Sequence, residues 1–133
     1  MAQRYFTLEE ALALLPRLTE MLETLRSRRQ ELRELERRLA ERYQQRVRGN
    51  GHVRGGDELG QLRRELEAGL AQLNEQVAAI HALGVEVKDV DQGLVDFPSL
   101  REGREVYLCW RLGEPTIAWW HELETGFAGR QPL

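Results

Sequence analysis

Two leucine seams on either side of a glycine-rich break constrain this chain more than any other feature. From Leu15 onward, apolar residues fall at Leu15, Leu18, Leu22, Leu25, Leu32, Leu39 and Tyr43. These alternating steps of three and four form a heptad seam, interrupted by Arg29 and Glu36. A second seam runs through Leu59, Leu62, Leu66, Leu70, Leu73, Val77, Ile80 and Leu83. Between them lies Gly49-Asn50-Gly51-His52-Val53-Arg54-Gly55-Gly56, which no helix crosses easily. The pattern predicts an antiparallel coiled-coil hairpin with its tip near 49–56. The first arm would be about 50 Å long at about 1.5 Å per residue. One register pairs Leu39 with Leu66, Leu32 with Leu73, Leu25 with Ile80 and Leu22 with Leu83. It also pairs Tyr43 with Leu62 and Leu35 with Leu70.

The helix ends carry their own signals. Thr7 and Glu10 form a capping box, and Asp57 is placed to cap the second helix. Gly84 terminates it. Pro16 removes one hydrogen bond, so a kink or break is expected near Leu14–Leu15.

Residues 85–133 are a different material. Six of the nine aromatics lie there (Phe97, Tyr107, Trp110, Trp119, Trp120 and Phe127), and the balance is acidic. Short strands are expected at Val85–Val90, Leu94–Phe97 (stopped by Pro98), Glu105–Arg111 and Thr116–Trp120, with turns at Asp91-Gln92-Gly93 and Glu102-Gly103. The fold class is therefore α+β: a long helical hairpin over 1–84, then a small antiparallel sheet of three to four strands with a C-terminal tail over 85–133. Both parts are expected to share one core as a single domain of 133 residues.

Val106, Leu108 and Trp110 alternate with Tyr107 and Cys109, so the sheet is apolar on both faces. The second face needs a cover, either the tail or another copy. A homodimer is preferred, with Tyr107, Trp119 and Trp120 as its self-association surface.

Cys109 is the only cysteine, so an intrachain disulfide is excluded, and its place on a strand reads as a small buried hydrophobe. No apolar run approaches the roughly 18 residues of a membrane span, and mean hydropathy is -0.54. The first residues lack a secretory signal pattern, and a cytoplasmic location is expected.

The motifs Arg4-Tyr5-Phe6-Thr7-Leu8-Glu9-Glu10-Ala11, Gly84-Val85-Glu86-Val87-Lys88-Asp89 and Gly93-Leu94-Val95-Asp96-Phe97-Pro98 have a specific character. So do Glu105 to Glu114, Trp120-His121-Glu122 and Gly126-Phe127-Ala128-Gly129-Arg130. Together they resemble a bacterial family, domain-of-unknown-function family 2203, over essentially the whole chain. The resemblance implies no particular activity, ligand or catalytic residue.

Two candidate sites emerge from the residues. Asp89, Asp91 and Asp96 surround one turn, and His121 with Glu122 follows the last strand. Carboxylates with an imidazole suit a divalent metal or acid–base chemistry, although no metal-binding spacing is present and no cofactor is otherwise predicted. The hairpin tip gathers Arg42, Arg46, Arg48, His52 and Arg54 in a stretch without an acid, a surface for RNA, DNA or a protein partner.

Lysine occurs only at position 88, against 18 arginines, and ten of those lie within residues 26–54. The net charge is nevertheless -3. Three functions compete, in this order: a non-enzymatic interaction or scaffold protein, a metal-dependent or acid–base enzyme, and a nucleic-acid-binding arm.

Overall fold

A computed structural model describes residues 4–48 and 56–133. The expected glycine-rich tip, with His52 and Arg54, lies outside the described residues. Among those described there are two helices, α1 (Leu8–Arg48) and α2 (Gly56–His81). They are followed by a five-stranded antiparallel sheet in sequence order: β1 (Glu86–Asp89), β2 (Leu94–Arg101), β3 (Arg104–Arg111), β4 (Trp119–His121) and β5 (Gln131–Pro132). No described helix is long and apolar enough to cross a membrane.

The capping box forms as expected. Thr7 N–H donates to Glu10 Oε1 at 2.9 Å, and Glu10 N–H donates to Thr7 Oγ1 at 3.1 Å. Of the kink or break expected near Leu14–Leu15, the break does not occur, for α1 continues through Pro16. Pro16 is exposed, so the one carbonyl it leaves unmatched can be hydrated while the turns on either side hold the helix. α2 begins at Gly56, one residue before the expected cap Asp57. It closes at Gly84, whose φ of 92° suits glycine and whose N–H donates to His81 O at 2.9 Å.

The chain divides into two compact units. One comprises Met1–Arg26 with Gln76–Leu133, and the other is Ser27–Glu75. The boundary therefore falls within the helices rather than at residue 84, so the ends of both helices belong with the sheet.

In the Ser27–Glu75 unit the seam differs from the expected one at two places. Leu32, Leu59, Leu62, Gly69 and Leu73 are buried, whereas Leu70 is 37% and Tyr43 59% exposed. Gly69 occupies the place expected for Leu70. A Cβ there would fall inside van der Waals contact with Leu32 Cδ2, so the missing side chain is what admits Leu32. Positions 62, 66, 69 and 73 keep the strict four–three–four step, and Leu70 lies one residue off it. Tyr43 lies past the end of the buried stripe, in a helical end where every α1 residue from 40 to 48 is exposed. Arg42 there pairs with Glu58 at 2.9 Å.

In the other unit, Ala11, Leu18, Leu22, Leu25, Ile80 and Val85 are fully buried. The two-residue turn Glu102-Gly103, with φ of 52° and 79°, joins β2 to β3 and fixes their register. Val95 then lies opposite Trp110, Phe97 opposite Leu108 and Ser99 opposite Val106, and Leu108 lies opposite Trp120 in β4. These residues make the first sheet face, and Phe97 meets Phe6 edge-on with centroids 5.4 Å apart.

β2 does not stop at Pro98 as expected but runs to Arg101. Its pairing with β1 ends at Asp96, so beyond that residue its outer side carries no ladder. Pro98 O instead accepts Phe6 N–H at 2.7 Å on that side. The proline nitrogen faces the same way, where no strand requires its hydrogen.

The revised seam makes an unequal pair of substitutions diagnostic. Leu32→Ala should cost about 2–5 kcal/mol, and Leu70→Ala should stay within about 0.5 kcal/mol. Urea unfolding followed by helical circular dichroism measures both. Equal losses would return Leu70 to the seam.

Candidate functional site

The second sheet face carries the chemistry. The same register sets Asp96 opposite Cys109 and Tyr107 opposite His121, with Glu86 opposite Asp96 on the outer side. Asp96, Cys109 and His121 are 2%, 0% and 1% exposed. Three potential donors from three adjacent strands are thus sealed on one face.

His121 is held at both ring nitrogens. Nδ1 lies 2.7 Å from the backbone oxygen of Glu122, and Nε2 lies 3.0 Å from Asp96 Oδ1. A carbonyl oxygen can only accept, so Nδ1 carries a hydrogen and donates it. Nε2 and Oδ1 can approach to hydrogen-bond distance only with a proton between them, since two lone pairs would repel. Burial pushes the Asp96 carboxyl above its ordinary value, outweighing the downward pull of the His121 hydrogen bond.

Cys109 is the third member. Burial pushes its thiol up to about 11, although Arg130 Nε–H donates to Sγ at 3.3 Å and favours the thiolate. Arg130 is fixed in turn by a two-pronged pair with Glu114, at 2.6 and 2.9 Å. The Arg111 N–H also donates to Glu114, at 2.6 Å. Arg130 further lies over the rings of Phe127 and Trp119, at 4.4 and 5.6 Å. Arg130, in the tail after β4, therefore covers part of this face, over Cys109 and Trp119. Beside the cluster, Tyr107 is pushed up to about 12 by burial and by its hydrogen bond to the Glu86 carboxylate. Lys88 lies 5.0 Å over the Tyr107 ring.

The expected acidic site is thus only partly assembled. Asp96 and His121 meet. Asp89 Oδ1 instead accepts Gln92 N–H at 3.1 Å and shapes the turn, in which Asp91 is exposed. Glu122 contributes its backbone oxygen, while its side chain pairs with Arg104 at 3.1 Å.

Cys109 is the residue the sequence reading missed. Counting outward in equal steps from Glu102-Gly103 sets Asp96 opposite Cys109, so the signal was present in the turn. Trp120 is 7% exposed and faces the first side, which removes it from the expected self-association surface. Tyr107 and Trp119 are half-buried. Of the basic tip, Arg42, Arg46 and Arg48 are exposed on the last turns of α1.

The Arg130–Glu114 clamp has a definite pH signature. Burial alone would raise the Glu114 carboxyl, yet Arg130 and the Arg111 N–H outweigh it and leave the group below its ordinary 4.5. A depressed carboxyl contributes stability that is complete above its unfolded value and is lost as pH falls through its folded one. Glu114→Gln should therefore cost about 1.5–3 kcal/mol at neutral pH. The gap to wild type should narrow as pH falls below 4.5. Denaturant melts across the acid range measure it, and a gap that widens in acid would contradict the clamp.

Comparison with known proteins gives one match. The family model described as "Uncharacterized conserved protein (DUF2203)" matches residues 4–133. No match was found among curated proteins or among solved structures. A match of that extent settles the family, and the chain belongs to DUF2203.

Proposed function

We propose that this chain is a non-enzymatic interaction protein of the bacterial cytoplasm, working as a homodimer and docking a protein partner at the distal end of its helical hairpin. The observation that carries the reading is the exposure of Tyr43 and Val47, at 59% and 68%. One turn apart on α1, they form a short apolar step beyond the buried seam. Arg42, Arg46 and Arg48 are exposed around it. Aromatic and arginine side chains together are the composition of an interface hot spot. The enzymatic reading is disfavoured because Asp96 and His121 are at most 2% exposed, which leaves a substrate almost no surface to touch. Tyr107 and Trp119, half-buried on the second sheet face, are the surface left for self-association.

One observation favours a second reading. An exposed Tyr43 among guanidiniums offers a ring for base stacking beside groups that neutralise phosphates, the combination used on single-stranded nucleic acid.

A photo-crosslinking residue at position 43, in living cells, separates the two. The expected result is a discrete protein adduct that Val47→Glu abolishes without loss of helicity. A nuclease-sensitive adduct would transfer the assignment to nucleic acid, and the absence of any adduct would contradict both. Light scattering on the eluting chain should give twice the chain mass, and a monomer would remove the homodimer.

A further inference from the structure

We infer that Asp96, Cys109 and His121 form a binding site for a divalent transition-metal ion of the zinc class. The donor atoms, one carboxylate oxygen, one sulfur and one imidazole nitrogen, all lie within 4.8 Å of one another. A tetrahedral ion with bonds of about 2.0–2.3 Å needs its donors roughly 3.3–3.8 Å apart, so small side-chain rotations suffice. A mixed oxygen, nitrogen and sulfur set selects zinc and its neighbours over magnesium or calcium, which take oxygen alone.

The surroundings are those of a ligand set. A metal-binding histidine typically donates its other ring hydrogen to a carbonyl or carboxylate, which fixes the ring and aims the lone pair. His121 does this through Nδ1–H to the Glu122 oxygen at 2.7 Å, leaving Nε2 directed at the Asp96 and Cys109 side. Arg130 Nε–H on Sγ supports a thiolate from outside the donor set, and Glu114 cancels the guanidinium charge that would otherwise repel a cation.

Charge closes as well. A carboxylate, a thiolate and a neutral imidazole carry two negative charges, which one divalent ion neutralises among side chains at most 2% exposed. Coordination displaces the thiol proton and the proton lying between Asp96 and His121. Both leave to solvent, and the Nδ1 hydrogen stays. The fourth position falls to water. A sealed ion tying β2, β3 and β4 together holds the sheet rather than turning over a substrate, so the inference stands apart from the docking role proposed for the helical end.

Cobalt titration of the metal-stripped full chain tests it. One equivalent of Co²⁺ should bind with the intense visible bands of a tetrahedral site and a sulfur-to-cobalt charge-transfer band, and Zn²⁺ should bleach both. Cys109→Ser, folded by circular dichroism, should lose the charge-transfer band. X-ray absorption at zinc bound to the wild-type chain needs no variant and should show one sulfur at about 2.3 Å. Uptake below about one-tenth of an equivalent, a zinc shell without sulfur, or a charge-transfer band that survives in Cys109→Ser would overturn the site. The hydrogen-bonded cluster would then stand on its own.

Discussion

The Glu102-Gly103 turn is the constraint from which the rest of the sheet follows. Both of its residues have positive φ, 52° and 79°, as the tightest hairpin requires. That geometry leaves β2 and β3 one register, and in a sheet a slip of one residue exchanges the two faces. With the observed register, Val95 and Phe97 enter the apolar face, and Asp96 is placed between Glu86 and Cys109 on the other. Shifted by one, the same strand would bury Asp96 among Phe6, Leu108 and Trp120 without a partner. The aspartate can be 2% exposed because the turn delivers it to His121.

Much of this was legible in the chain. The capping box at Thr7 and Glu10, the glycine stop at Gly84 and the Glu102-Gly103 turn each depend on a few adjacent residues, and local chemistry decides them. The errors arise where distant structure decides. Pro98 reads as a strand end, but its missing hydrogen faces a side that β1 has already left, and Phe6 docks there instead. Leu70 reads as the seam residue because hydrophobicity marks side chains, whereas that position requires the absence of one, which Gly69 supplies. β5 has two residues and a proline, too little for any periodic signal.

The candidate site was harder to read for a related reason. Acidic residues near one turn look like a group, yet alternation sends neighbours to opposite faces, and only Asp96 of the three joins His121. From its own strand alone, Cys109 reads as a packing residue. Its partners lie in β2, in β4 and at Arg130 in the tail, so its chemistry exists only after the sheet and its cover have formed. The tail thereby fixes a charge beside the sulfur.

A fully buried Asp96–His121 pair, oriented by the Glu122 carbonyl, organises this face. Long-range nitrogen-15 NMR of the labelled imidazole, on metal-free protein near neutral pH, examines it most directly. The expected result is a hydrogen resident on His121 Nδ1 and protected from exchange with water, with the Nε2 signal changed by Asp96→Asn. A bare Nδ1, with the ring hydrogen on Nε2 and in rapid exchange, would contradict it.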